Sequence, residues 1–278
     1  MRLNPTDRAI EITAEDGALA GRYVFEDEFK PYLHPLLTPR GVPVSAFMPH
    51  DHKHHRALMY ALRTEDVNFW EEYSTLPGEQ VGRQVHRGLS DVVVEGETVG
   101  FSQALDWSPV GSDALIFREA RQISCRRGDD PSGFTWTWRT RLTAETDLTL
   151  RMSQWSAVRP DGRRVNYHGL GLRLPREFGG AQAELGVRAD DAEVEIADAL
   201  GSTPQRLEFR AAADGFWPVR HAGLRFTQGQ RNALFIMKDP FAYISFGPSN
   251  HAPLDLSRGD RIEETYRLDV FDADPPDA

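Results

Sequence analysis

The residues best suited to chemistry crowd into one stretch, Phe47-Met48-Pro49-His50-Asp51-His52-Lys53-His54-His55-Arg56. It holds four of the nine histidines, with an aspartate, a lysine and an arginine among them. Imidazole titrates near neutrality, ligates metals and relays protons, so this density points to a site. Pro43 and Pro49 discourage a helix here. An extended backbone then puts His50, His52, His54 and Arg56 on one face, and Asp51, Lys53 and His55 on the other. Three roles fit. His52 and His54, as a His-x-His pair, could hold a divalent metal completed by a distant donor. The same rings could transfer protons beside a polar ligand. Or they could be structural, bonded to backbone. No HExxH-like spacing singles out the metal. Lys53 and Arg56 favour an anionic or hydroxyl-rich ligand over a cation.

Two more polar sets repeat an i, i+2 pairing. Gly82-Arg83-Gln84-Val85-His86-Arg87-Gly88 places Gln84 and His86 together. Asn166-Tyr167-His168-Gly169-Leu170-Gly171 does so for Asn166 and His168, beside glycines that permit close backbone approach. Neighbouring strands with this pattern would bring His52, His54, Arg56, His86 and His168 to one cavity. Asp51, Glu71 and Glu177 are the candidate acidic partners. Tyr243, Ser245, Asn250 and His251 gather around a Gly247-Pro248 loop. Of the six tryptophans, Trp70 and Trp217 lie near turn signals and could stack on a ligand face. Trp107, Trp136, Trp138 and Trp155 read as core.

The elements that must position these groups are strands. Phe134, Trp136 and Trp138 alternate with Thr135, Thr137 and Arg139. Ile262, Tyr266, Leu268 and Val270 alternate with charged and polar neighbours, and only Glu264 breaks the apolar face. Period-two patterning marks half-buried antiparallel strands. Similar runs cover 10–13, 21–25, 91–94, 99–107, 115–125, 148–155, 192–196, 224–227, 233–237 and 242–246. Turn chemistry separates them, as at Glu15-Asp16-Gly17, the 128–133 segment, Arg159-Pro160-Asp161-Gly162 and Ser257-Arg258-Gly259-Asp260. Helical signal is weak; Asn68–Tyr73 is the one short helix expected, with Asn68 as its cap. This predicts an all-β chain, a large antiparallel β-sandwich with few short helices, as one domain over residues 1–278. Residues 272–278 read as a frayed polar tail.

Composition narrows the partners. Net charge is −10, which argues against nucleic acid and anionic membrane. No run approaches roughly 18 apolar residues, and the N-terminus lacks a signal-peptide core, so a cytoplasmic protein is expected. Cys125 is the one cysteine; it lies in a strand-like run and reads as a core thiol. Walker, dinucleotide and GxSxG motifs are missing from the sequence.

With these residues in view the chain resembles the PmoA-like family of bacterial proteins. The resemblance rests on Pro31-Tyr32-Leu33-His34-Pro35-Leu36-Leu37-Thr38-Pro39-Arg40-Gly41-Val42-Pro43-Val44, Asp51-His52-Lys53-His54-His55-Arg56, Val67-Asn68-Phe69-Trp70, the 82–88 segment and Gly171-Leu172-Arg173-Leu174. It covers most of the chain, and Lys53 departs from the proline more usual between the histidines. The family's methane-oxygenase label does not fit a chain without a spanning segment. What the resemblance implies is genomic company with sugar-handling oxidoreductases and a galactose-mutarotase-like supersandwich. The reading is therefore a carbohydrate-active enzyme acting on a glycoside or an oxidised keto sugar by His-mediated acid–base chemistry, as lyase, hydrolase or epimerase. His52, His54 and His168 are the candidate catalytic residues, and His50, His55, Arg56, Trp70, His86 and Asn166 the candidate substrate-binding residues. A divalent metal on His52 and His54 is the mechanistic variant. A non-catalytic sugar-binding or sensing protein is the alternative, and a redox metalloprotein the weaker one.

Overall fold

The computed structural model describes residues 1–128, 133–180, 183 and 185–274. Two antiparallel sheets face each other. The first runs, edge to edge, through Arg2–Pro5, Ala9–Thr13, Leu19–Val24, Tyr32–Leu36, Leu58–Ala61, Gly169–Arg173, Tyr243–Gly247 and Ala233–Met237. The second runs through Ala192–Glu193, Leu185–Ala189, Arg206–Ala213, Arg220–Gln228, Arg261–Ala273, Gly133–Ala144, Phe117–Arg127, Thr98–Pro109, Gln80–Glu95 and Val67–Asn68. Val67–Asn68 pairs in parallel with the start of Gln80–Glu95. The expected large antiparallel sandwich is the fold found.

Its strands form where alternation lets one face be dry. Trp136 and Trp138 both point into the space between the sheets, at 2% and 4% exposure. In register beside them lie Cys125 and Ile123 on one side, and Leu268 and Tyr266 on the other. Leu33, Leu58 and Leu170 close over them from the first sheet. Cys125 is buried, and burial pushes its thiol well up. Glu264, the break in the apolar face of its strand, is buried too, where Asn232 Nδ2 donates to its Oε1.

Several boundaries differ from expectation. The 148–155 run keeps only Leu148–Leu150 as strand, leaving Trp155 on a loop. The 192–196 run is a two-residue strand followed by the helix Ile196–Ala199. Asp91–Val94 is the far end of the long Gln80–Glu95 strand, with Val92 and Val94 exposed. Of the expected Asn68–Tyr73 helix, Asn68 ends the Val67–Asn68 strand and residues 69–73 are a series of bends. Asn68 Oδ1 does accept from the N–H groups of Trp70 and Glu71, 3.0 Å each, as a cap would. But the Trp70 carbonyl, which a helix would reserve for the residue four later, accepts from Lys30 Nζ at 2.5 Å. Of the expected frayed tail, Asp272 and Ala273 belong to the Arg261–Ala273 strand, and Asp272 Oδ1 accepts from Thr38 Oγ1 at 2.6 Å. Residues 275–278 lie outside the described residues, as do 129–132 of the expected 128–133 turn.

What matters for the site is the other face of the first sheet. Alternation sends Tyr23, Leu33, Leu58 and Tyr60 into the main core, and Val24, Tyr32, Met59 and Ala61 outward. There they join Trp70, Phe235 and Tyr243 in a second, smaller apolar cluster.

Candidate active site

Over this outward face lies a cavity of about 450 Å³, lined by His52, His54, His55, Trp70, Glu71, Tyr73, Trp155, Ala157, Tyr167, Phe235, Met237, Phe241 and Tyr243. The sheet supplies the floor. Gly171, central in the sheet, makes room for it, because a Cβ there would overlap the Tyr243 hydroxyl and stand 3.3 Å from Trp70 Cη2. Loops supply the walls.

The histidine segment is not extended. Its backbone makes two successive turns, His52 N–H to Pro49 O (2.9 Å) and His55 N–H to His52 O (3.0 Å), inside a bridge between Phe47 and Arg56. Turns bring i and i+3 together, so His52 and His55 stack at 4.7 Å, and His54 packs edge-on to His55 at 4.7 Å. The shared face expected for His50, His52, His54 and Arg56 does not exist. His50 is exposed and takes Arg176 Nη2 on its Nδ1 at 2.8 Å. Arg56 turns away to a bidentate pair with Glu72, 2.8 Å on both nitrogens, and to Asp27 at 3.3 Å.

Buried charges set the two loops against each other. Lys30, 1% exposed, donates to Trp70 O, reaches His54 O at 3.5 Å, and pairs with Glu72 at 3.5 Å. Glu72 thereby joins Lys30 and Arg56, and ties the 50–56 turn to the 69–73 bends. On the far side Asp51 bridges Arg173 (3.1 Å), Arg176 (3.2 Å) and His52 Nδ1 (3.3 Å). Burial opposes ionisation of Asp51, but the hydrogen bonds from Arg173, the backbone and His52, together with the Arg173 charge, outweigh it and hold the carboxyl down at about 2. Arg173 also lies 3.8 Å over the Phe241 ring and donates from Nη1 to His55 Nδ1 at 3.2 Å. Guanidinium only donates, so His55 Nδ1 is the bare nitrogen and Nε2 carries the proton.

Burial, then the Lys30 charge, pushes His54 down to about 3. Burial and the neighbouring imidazoles hold His55 well below its ordinary value. Both rings are therefore neutral at pH 7, hydrogen-bonding groups and weak bases. Across the cavity Glu71 is 2% exposed. Its Oε1 accepts from the Tyr167 hydroxyl at 3.1 Å; its Oε2 lies 3.9 Å from Arg63 Nη1 and accepts no hydrogen bond from the described residues. Burial and then the Glu71 carboxylate push the Tyr167 phenol up, so it stays a donor. Ser153 Oγ lies 2.7 Å from that phenol.

His168 and Asn166 stand behind this wall. His168 is fully buried against Trp70 (5.5 Å) and Tyr167 (5.0 Å), with Asn166 Nδ2 donating to its Nδ1 at 2.9 Å. Gly169, at φ +103°, breaks the strand parity that would have sent His168 inward with Leu170 and Leu172, and its ring packs against Trp70 and Tyr167 instead. His86 is on the wrong side altogether. Gln84 and His86 do share a face, but it is the one between the sheets, where Gln84 bonds Tyr60 O (2.8 Å) and His86 Nδ1 meets Gln103 Nε2 (3.0 Å). So His52, His54, His55 and Trp70 come together, with Glu71 among the acidic candidates. His50, Arg56, His86, Asn166 and His168 do not line the cavity, nor do Asp51 and Glu177. Trp217 is 94% exposed, away from it. Tyr73, Trp155, Phe235 and Phe241 are the wall residues that the sequence did not signal; Tyr243 was visible only as part of a polar group near Gly247. Among the described residues no three His, Cys, Asp or Glu side chains are grouped to hold a metal ion. No helix there is long and apolar enough to cross a membrane.

A larger groove of about 730 Å³ follows Leu185–Ala189 and Ile196–Ala199. Its basic groups and Glu208 are engaged: Glu208 accepts from Arg210 (2.9 Å) and Arg225 (2.8 Å), Arg188 donates to Asp191 O (2.6 Å), and Lys238 donates to Ala183 O.

The model of a family of unknown function, DUF6807, matches residues 9–278. No curated protein matches the sequence. Among solved structures, galactose 1-epimerase from Lactobacillus acidophilus NCFM is similar over 98% of this chain and 99% of its own, at 9% identity and a TM-score of 0.48. A galactose mutarotase related enzyme from Lactobacillus acidophilus covers 98% and 97%, at 8% and 0.31. The galactosidase domain of an alpha-galactosidase-sucrose kinase covers 96% of this chain and 41% of that one, at 8% and 0.39. Likeness at this level says nothing about substrate or reaction.

Proposed function

This chain belongs to the DUF6807 family, and for this member we propose an enzyme that transfers protons on a carbohydrate bound in the 450 Å³ cavity. The observation that carries the reading is Glu71. A buried carboxyl on a cavity wall, with one oxygen free of hydrogen bonds and only Arg63 at 3.9 Å to answer it, can act as a base or an acceptor toward a ligand proton. Opposite it stand neutral His54 and His55, which suit hydroxyl or carbonyl oxygens better than ions. The remaining walls are aromatic, and rings pack on the C–H faces of a pyranose while polar edges bind its hydroxyls.

Roles follow from the local chemistry. On a keto sugar, Glu71 removes a C–H proton beside the carbonyl. The electron pair moves to the carbonyl oxygen, which the Nε2–H of His55 is suited to stabilise. As the electron pair returns from that oxygen to re-form the carbonyl, a carbon–carbon double bond forms and the bond from the β carbon to the glycosidic oxygen breaks; His52, the most exposed of the three rings, gives the departing oxygen a proton. A ring held down at about 3 is a poor base, so His54 binds rather than abstracts. The PmoA-like resemblance points to the same substrate class.

The test compares wild type and Glu71→Gln on ordinary and keto-oxidised p-nitrophenyl glycosides, with and without chelator, following p-nitrophenol release. Turnover by the wild type and a loss of roughly 10²- to 10⁴-fold in the variant are expected. Tight binding with no turnover on any of them, and only an affinity change in Glu71→Gln, would leave a sugar-binding protein and end the enzymatic reading.

A further inference from the structure

The rim of the cavity holds a feature that proton transfer alone does not need. Trp155 is 55% exposed and Tyr73 54%, yet both line the cavity. Isolated exposed aromatics are ordinary; two at one mouth form a patch. Each is tied to a different wall. Tyr73 packs edge-on to His54 at 5.8 Å and lies two residues from Glu71. Trp155 donates its backbone N–H to Ser153 Oγ at 3.2 Å. That hydroxyl meets Tyr167 Oη at 2.7 Å, and Tyr167 donates onward to Glu71. A continuous chain of hydrogen bonds thus runs from the Trp155 backbone to the Glu71 carboxyl. The loop under it is fixed as well: Asn166 Oδ1 accepts from Ser153 N–H at 3.1 Å, and Arg164 Nη2 donates to Gln154 O at 2.7 Å. Among the described residues Trp155 has no aromatic partner, so its backbone is held in place while its ring is left uncovered.

We infer that Trp155 and Tyr73 form an outer subsite for a second ring, so that the ligand is a glycoside whose aglycone presents a flat apolar face, an aryl group or another pyranose, rather than a free monosaccharide. This rests on the carbohydrate reading of the inner cavity. Size agrees, since about 450 Å³ lies in the range of pockets for drug-sized ligands rather than of one six-membered ring. The hydrogen-bond chain gives occupancy of the rim a route to Glu71, so ring stacking should improve turnover and not affinity alone.

The experiment measures kcat/KM and, by tryptophan fluorescence, Kd for the methyl, p-nitrophenyl and glucosyl glycosides of one hexose, and for p-nitrophenol alone. Wild type, Trp155→Ala, Trp155→Phe and Tyr73→Ala are compared. Wild type should favour the two ring-bearing glycosides over the methyl glycoside by about tenfold or more. Trp155→Ala should lose about tenfold more on the ring-bearing glycosides than on the methyl glycoside, and Trp155→Phe should recover part of that. Which of the two gains more in wild type tells an aryl from a sugar occupant. Equal losses on all three glycosides overturn the subsite while leaving the inner reading intact. If no glycoside binds but p-nitrophenol does, in a Trp155-dependent way, the rim is an aromatic subsite and the carbohydrate reading fails instead. If p-nitrophenol and the glycosides all bind independently of Trp155, the subsite is refuted.

Discussion

Glu264 offers the most quantitative check on the sandwich. It replaces an apolar residue on the inward face of its strand, between Ile262 and Tyr266, at 4% exposure. Burial raises its carboxyl from an ordinary 4.5 to about 7; the Asn232 hydrogen bond and the nearby Tyr60 and Tyr266 hydroxyls oppose this without cancelling it. The folded state therefore holds a proton that the unfolded chain releases above 4.5. Stability from this group is fully present below pH 4.5 and is lost as pH rises to about 7. At 1.36 kcal/mol per unit, that gap amounts to about 3 kcal/mol. Glu264→Gln keeps the shape and the donor–acceptor character of the protonated acid and cannot ionise. Urea unfolding of both proteins at pH 4.5, 6 and 8 is the assay. The variant should match wild type at the lowest pH and exceed it by up to about 3 kcal/mol at pH 8, with similar m-values. A variant advantage that stays flat with pH, or that grows on acidification, refutes a neutral buried Glu264.

Lys30→Met removes the donor shared by Trp70 O and His54 O; an unmet buried acceptor costs roughly 1–3 kcal/mol, so calorimetry should show Tm lowered by several degrees. Because the loops carrying Glu71 and His54 lose their latch, kcat should fall as well, and a normal kcat would deny Lys30 a positioning role. Gly171→Ala forces the Tyr243 ring up into the cavity, so the chain should fold while ligand Kd rises, measured by fluorescence titration. Cys125 should resist a thiol reagent in the native protein and react on unfolding in urea, since its thiol is 1% exposed; rapid native labelling would contradict the packing around Trp136.

What the sequence determined by itself was whatever depends on neighbours two residues apart. Phe134, Trp136 and Trp138 alternate with Thr135, Thr137 and Arg139, and a strand with that pattern has one way to hide its rings. The sandwich and its inward tryptophans were therefore legible. So was the weight of the 50–56 segment, because chemical density does not depend on conformation. Its geometry was not legible. Whether those residues run extended or double back is decided by Lys30, Glu72 and Arg173, the last of which lies 118 positions from His55. The i, i+2 pairing of Gln84 and His86 was real, but parity names a face, not which side of a sheet the ligand will choose. For Trp155 and Tyr73, on irregular backbone, periodicity carries no information. Their place at the cavity mouth comes from hydrogen bonds to Ser153, Tyr167 and Asn166, and from packing on His54, which exist only once both sheets have assembled.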